Sequence, residues 1–347
     1  MNFCSRGDVI SCECHPRRAR SMPTTVEFED TMLHRRRSSG PSEDRGTGGG
    51  DSGDEGKNDC VLYEMGNGIA TLTLNRPEVK NAFSSEVYLK VVELLERAEK
   101  DESVLAVVLT GAGGYFTSGA DIKELMASEP LTTPMSQQPF GIFASALLRF
   151  PKLVVAAVNG PAVGVGVTLL PHCDVVYAYG GTEAAASAPA GDSGRGQEAR
   201  VGLAGEQPAE FWTPFFQLAI VPEFCSSVTL PAILGWSLAN EMLVMGRKLA
   251  GAEALSSGLI SQLTYAETAE AFLQQVKDDV ERTVVDIFMA PESASTFKRI
   301  MWRNRRPMLL RVLEEELVDL GRRMRAGHPK AALEHLARRA RHPSSKL

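Results

Sequence analysis

Paired cysteine spacing is missing from this chain of 347 residues: Cys4, Cys12, Cys14, Cys60, Cys173 and Cys225 form no recurring pattern. A disulfide framework is therefore excluded, and a reducing compartment is expected. Cys12-Glu13-Cys14-His15 has the residue types of a metal site, but nothing downstream completes a set of four ligands, so no metal is expected. Neither sign of charge dominates. With 37 Lys+Arg against 43 Asp+Glu the net charge is -6, and the central region shows no basic stripe, so no nucleic-acid partner is expected. No secretory signal is visible. The longest apolar run, 153–170, is uncharged and has nearly the length of a membrane span, yet Asn159-Gly160-Pro161 places a turn inside it. No membrane span is expected. The glycines of 111–119 and 160–166 have neither dinucleotide-type spacing nor the Gly-Lys-Ser/Thr of a phosphate loop, which excludes a nucleotide cradle there.

What is present is a repeated strand, turn and helix start. Leu153 to Val158 is an apolar, β-branched run, followed by Asn159-Gly160-Pro161-Ala162-Val163-Gly164-Val165-Gly166 and then a second strand signal at Asp174 to Ala178. Upstream, Leu105 to Thr110 leads through Gly111-Ala112-Gly113-Gly114 to Phe116-Thr117-Ser118-Gly119-Ala120-Asp121-Ile122, with Asp121 placed as a first-turn acid. Glycine turns of this kind leave backbone N–H groups free to hold a negatively charged oxygen. Two such turns could converge on one oxygen.

Ile69 to Leu74 alternates as a strand. Ser84 or Ser85 caps a helix whose apolar stripe is Val87, Val91, Leu94, Leu95 and Ala98. The repetition through 178 predicts α/β layering. Helical material is expected from Pro231 onward, and Leu309, Leu313, Leu317, Leu320 and Met324 keep helical spacing as a core or subunit stripe. Residues 1–57 read as a disordered leader and linker. Interspersed acids such as Glu27, Glu29 and Asp30 argue against a mitochondrial presequence despite its arginines. The core is expected over 58–265 and a helical C-terminal region over 266–347. Within the core, 179–210 lacks periodicity and reads as a disordered insertion or as mis-assigned coding sequence.

Leu74-Asn75-Arg76-Pro77, Asn81-Ala82-Phe83, Phe116 to Ile122, Val158 to Gly164 and Cys173-Asp174 together resemble the crotonase (enoyl-CoA hydratase/isomerase) superfamily in order and spacing, from about Leu62 to Leu263. The resemblance implies a spiral of ββα units with a helical C-terminal trimerisation region, hence a homotrimer. It implies an acyl-CoA thioester as substrate, with no cofactor beyond the coenzyme A that the substrate carries. Its two-amide oxyanion hole falls by motif position on Ser118 and Val165, and contacts to substrate and coenzyme A on Thr117, Ser118, Gly119, Ala120, Asp121, Ile122 and Gly164. Lys123, Arg322, Arg323, Arg325 and Lys330 could approach the coenzyme A phosphates but read as solvated charges.

Family hydratases use two glutamates, and this chain has Thr168 and Phe215 at those positions. Glu223, in Val221-Pro222-Glu223-Phe224, instead resembles the single carboxylate of Δ3,Δ2-enoyl-CoA isomerases. The resemblance makes it the base of an allylic proton shift, desolvated by Phe215 and Phe216. Phe224 departs from the pattern, because family isomerases usually have Gly there. His172 reads as a packing or helix-end residue. Ser345-Lys346-Leu347 forms a peroxisomal address, implying an import receptor and a matrix location. The alternative is a catalytically silent relative that binds acyl-CoA.

Overall fold

A computed structural model describes residues 59–127, 132–182, 206–285 and 292–341, all within one compact unit, Asp54–Leu347. The leader and the Ser345-Lys346-Leu347 terminus lie outside the described residues.

The strands are β1 (Val61–Gly66), β2 (Ile69–Leu74), β3 (Ala106–Gly111), β4 (Leu153–Val158), β5 (Ala162–Val163), β6 (Val175–Tyr179), β7 (Glu210–Trp212), β8 (Leu249–Ala250) and β9 (Gln262–Thr264). The main sheet has the order β1-β2-β3-β4-β6-β9, and a small sheet has β5-β7-β8. β1 and β2 form an antiparallel hairpin, turned by Asn67 (φ 48°) and Gly68 (φ 72°). Two successive left-handed residues give the twist that a two-residue hairpin needs. The remaining pairs of the main sheet are parallel.

Parallel strands need crossovers, and the apolar stripe of the helix Ser85–Lys100 supplies the first of them. Val87, Val91, Leu94, Leu95 and Ala98 are buried, and the Ser84 hydroxyl accepts the Val87 N–H as the cap. β2 is buried along almost its whole length, because helices cover both faces of the sheet. The alternation read in its sequence marks a strand, though not a half-exposed one. One core packs Leu72, Val107 and Ala156 against the helices Ser85–Lys100 and Pro139–Arg149. The other packs Val108, Val155 and Tyr179 against Phe272 and Val276 of the helix Ala269–Val280.

Both ends of the stretch 179–210, residues 179–182 and 206–210, belong to the described fold. Tyr179 is fully buried in β6, and Ala209 donates its N–H to the Tyr179 carbonyl at 2.8 Å before β7 begins. Residues 183–205 lie outside the described residues.

The C-terminal stripe becomes the helix Arg305–Arg325, with Leu309, Leu313, Leu317 and Leu320 buried. A polar clamp joins this region to the sheet. Asp174 accepts the Val154 N–H at 2.8 Å, the Trp302 indole N–H at 2.9 Å and the buried Lys298 ammonium at 2.8 Å. Breaking such a pair leaves an unpaired buried cation. Asp174→Ala is therefore expected to lower the unfolding free energy by about 3–5 kcal/mol, read from urea denaturation.

Candidate active site

Two motif asparagines shape the first glycine turn. The Asn81 amide donates to the carbonyls of Ala112 (2.8 Å) and Tyr115 (2.7 Å), and the Asn159 amide donates to that of Gly113 (2.8 Å) while its oxygen accepts the Gly111 N–H. The chain then runs beside β5, with Thr117 bridged to Ala162 and Ala120 bridged to Phe83.

Every backbone amide from Thr117 to Asp121 except one has an acceptor within the fold. Thr117 donates to Pro161, Ser118 to Lys80 (2.8 Å) and Asp121 to Phe83, while Gly119 donates to the Thr117 hydroxyl. Ser118 is thus not a free donor, because its amide is spent on holding the Lys80 turn. Ala120 is the residue whose N–H has no acceptor among the described residues. The reason is Gly119 at φ 89°, which redirects the next amide. The signal was in the sequence: the glycine inside the motif marks where the backbone turns over, so the free amide follows it.

The second turn meets the first closely. A Cβ on Gly119 would sit 3.0 Å from the Val163 carbonyl oxygen and 3.9 Å from the Gly164 Cα. Gly164 (φ 55°) donates to the Trp212 carbonyl, and the short helix Val165–Thr168 follows, leaving the Val165 amide without an intrahelical acceptor. Ala120 and Val165 therefore offer free N–H groups from two turns in contact.

The side chains predicted to bind substrate divide. Thr117 is fully buried, with its hydroxyl donating to the Asn81 carbonyl at 2.7 Å, so it is structural. The Ser118 hydroxyl is held by the Val79 carbonyl. Asp121 pairs with Arg76 at 3.0 Å and accepts the Lys123 N–H as the cap of the helix Ile122–Ala127, so its carboxylate is also engaged. Burial tends to raise its pKa, but the Arg76 guanidinium and the capping amides hold it below the usual range. Ile122 is exposed.

Glu223 is buried. Its Oε1 accepts the Thr168 hydroxyl at 2.8 Å, and its Oε2 has no hydrogen-bond partner. Burial pushes its pKa up to about 8, Thr168 pulls it down, and the charge of Glu316 pushes it further up. Thr168, read only as the place of a missing acid, thus acts on the acid that is present. Phe215 is buried against Gly164, but Phe216 is 71% exposed and forms no wall for the carboxyl. The flanking aromatic cluster is Phe224, which stacks on His172 at 4.4 Å and meets Phe140 and Phe143 edge-on.

Phe224 (φ 54°) and Cys225 (φ 63°) both occupy the left-handed region. That conformation costs a non-glycine residue roughly 1–2 kcal/mol, which explains the family's preference for glycine at Phe224. His172 helps to hold the loop: its Nε2–H donates to the Phe224 carbonyl at 2.8 Å, and burial drives its pKa down to about 4, so it stays neutral. It is a packing residue, as read from the sequence. Among the described residues no cluster of three or more His, Cys, Asp or Glu could hold a metal ion, and no helix is long and apolar enough to cross a membrane.

The raised pKa sets a pH dependence of stability. A carboxyl with an ordinary value of 4.5 is ionised in the unfolded chain well below the pH at which folded Glu223 ionises, near 8. The native state therefore binds the extra proton between those values, and stability falls as pH rises through that window. Urea midpoints from pH 5 to 8.5 are expected to decline more steeply for the wild type than for Glu223→Gln.

Comparison with known proteins agrees with the motifs. The model of the family described as enoyl-CoA hydratase/isomerase matches residues 64–192 and 199–319. The mouse protein named enoyl-CoA delta isomerase 3, peroxisomal, is 36% identical over 60% of this chain and 58% of its own length. Rat enoyl-CoA delta isomerase 2 is 32% identical over 82% of this chain and 64% of its own. The chain thus spans less than two thirds of either relative. Human testis-specific chromodomain protein Y 1 is 32% identical over 62% of this chain and 36% of its own length. Among solved structures, Pseudomonas aeruginosa OdaA has a TM-score of 0.67 at 33% identity, covering 80% of this chain and 99% of that one. An enoyl-CoA hydratase/isomerase from Pseudoalteromonas atlantica T6c has a TM-score of 0.66 at 28% identity, covering 81% and 97%. The fold is that of the crotonases. The chain belongs to the enoyl-CoA hydratase/isomerase family.

Proposed function

We propose that this protein is a Δ3,Δ2-enoyl-CoA isomerase of fatty-acid β-oxidation, with Glu223 as its base. The observation that carries the reading is one buried carboxyl with a free Oε2, on a chain whose free amides at Ala120 and Val165 come from touching turns. Ionised Glu223 takes a proton from C2 of a 3-enoyl-CoA, and the electron pair moves onto the thioester oxygen as a dienolate. The Ala120 and Val165 N–H groups stabilise that oxygen where its charge develops. The carboxyl then returns the proton to C4, which leaves the double bond between C2 and C3. Family hydratases add water with two glutamates, and neither Thr168 nor Phe215, which stand at those positions, supplies an acid. The test is 3-hexenoyl-CoA conversion with hydration of trans-2-hexenoyl-CoA measured in parallel. Isomerisation without appreciable hydration supports the reading, and hydration as the faster reaction overturns it.

The peroxisomal matrix is part of the same proposal, resting on Ser345-Lys346-Leu347 and on the mouse relative's name. A homotrimer carrying no metal or redox cofactor completes it, with the import receptor as partner. A second reading, acyl-CoA binding without turnover, is favoured by the strained Phe224-Cys225 pair beside Glu223. Tight coenzyme A binding with no conversion of any enoyl-CoA would select it.

A further inference from the structure

The loop that carries Glu223 is held by the C-terminal helix. Glu316, on the helix Arg305–Arg325, is buried, and its two oxygens accept the backbone N–H groups of Cys225 (2.6 Å) and Ser227 (3.0 Å). Those amides belong to the start of the helix Ser226–Leu234, whose N-cap side chain, that of Cys225, makes no capping bond to them. A carboxylate from a distant helix therefore does the work of the missing cap. On the same helix, the Leu309 carbonyl accepts the Cys225 thiol at 3.2 Å.

These contacts matter because the loop cannot hold its shape by itself. Phe224 and Cys225 are both left-handed, immediately after Glu223, and such residues persist only where their surroundings over-determine them. The Ser226 hydroxyl accepts the Glu223 N–H at 3.0 Å, so the position of Ser226 passes directly to Glu223. Glu316 grips the residues on either side of Ser226.

We propose that Glu316 is the positioning residue of the site: by clamping the Cys225 and Ser227 amides it locks the left-handed pair and aims the Glu223 carboxyl. This rests on the reading of Glu223 as the base. Glu316 touches no substrate. It acts through the loop and through its charge. The polar groups facing Glu223 come from three elements besides its own loop: the Thr168 hydroxyl, the Tyr88 phenol on the helix Ser85–Lys100, and Glu316. Cys225 lies on the loop, its thiol held protonated by burial and by the nearby carboxylates, and His172 beside it is neutral.

The test is kcat, KM and the pH profile of 3-hexenoyl-CoA isomerisation for Glu316→Gln, Glu316→Asp, Thr168→Val and Glu223→Gln. In Glu316→Gln the side-chain amide turns N–H toward N–H at one clamp and the charge is lost. A carboxyl displaced by about an ångström costs on the order of a hundredfold in kcat, with KM little changed. Loss of the neighbouring charge also moves the alkaline rise of kcat to lower pH, whereas Thr168→Val moves it to higher pH. Glu316→Asp keeps the charge and both oxygens but not the reach. It is expected to keep the wild-type pH profile with a smaller loss in kcat, and it decides the matter if the Gln variant does not fold. Wild-type kcat and pH midpoint in a folded Glu316 variant, with Glu223→Gln inactive, would overturn this proposal alone. An active Glu223→Gln would instead remove the base assignment beneath it.

Discussion

Replacing Glu223 with Gln is expected to lower kcat for 3-enoyl-CoA isomerisation by roughly 10²–10⁴-fold, the usual contribution of a positioned general base. Coenzyme A affinity should change little. Gln keeps the shape and can still accept the Thr168 hydroxyl, so the loss reports proton transfer rather than repacking. The wild-type carboxyl, with its pKa near 8, should make kcat climb with pH across that value, because only the ionised form can accept the C2 proton. The same ionisation costs stability, since a charge appears in a buried site. Activity and stability of the wild type are therefore expected to move in opposite directions between neutral and mildly alkaline pH, and Glu223→Gln should uncouple them.

Val165→Pro is expected to cost about 3–4 kcal/mol in the isomerisation barrier, or roughly 10²–10³-fold in kcat. Side-chain substitution cannot remove a main-chain donor, but proline can. Val165 opens the helix Val165–Thr168, the position at which proline is best tolerated, since the amide it lacks has no intrahelical acceptor. Gly164 precedes it, so the steric demand of proline on its neighbour falls on the residue without a Cβ. Val165 is buried, and proline is of similar size, so the fold should survive. Steady-state kinetics with thermal unfolding as a control separate the lost donor from lost structure. A folded Val165→Pro variant at wild-type kcat would leave the oxyanion site without one of its two amides.

Local chemistry was legible in the sequence, and contacts between distant segments were not. The helix Ser85–Lys100 follows from the spacing of Val87, Val91, Leu94 and Leu95 and from the Ser84 cap, because each effect acts within one turn. Leu309, Leu313, Leu317 and Leu320 mark the C-terminal helix for the same reason. By contrast, the helix expected from Pro231 begins at Ser226 with Pro231 inside it, because its cap is Glu316, 91 residues from Cys225 in the chain. Nothing near Ser226 announces that partner. The same holds for Thr168 and Glu223, which are 55 residues apart in sequence and share a hydrogen bond.

The proposed oxyanion donors show the limit at a finer scale. Both glycine turns were visible, and Val165 has the free amide expected of it. Ser118 does not, because the Lys80 carbonyl lies opposite its amide and takes it, while the positive φ at Gly119 turns the next amide, that of Ala120, away from any acceptor. Phe215 and Phe216 are a similar case: two adjacent aromatic residues look equally suited to a pocket wall, yet one packs over Gly164 and the other faces solvent. A turn has no periodicity from which the inward residue could be read.

The most direct measurement follows the proton itself: 3-hexenoyl-CoA deuterated at C2, turned over once in ordinary water, with the product examined for deuterium at C4. A lone carboxyl sealed from solvent should carry a substantial share of the label from C2 to C4. Complete loss of the label to water, at a turnover rate that Glu223→Gln leaves unchanged, would contradict the one-base account.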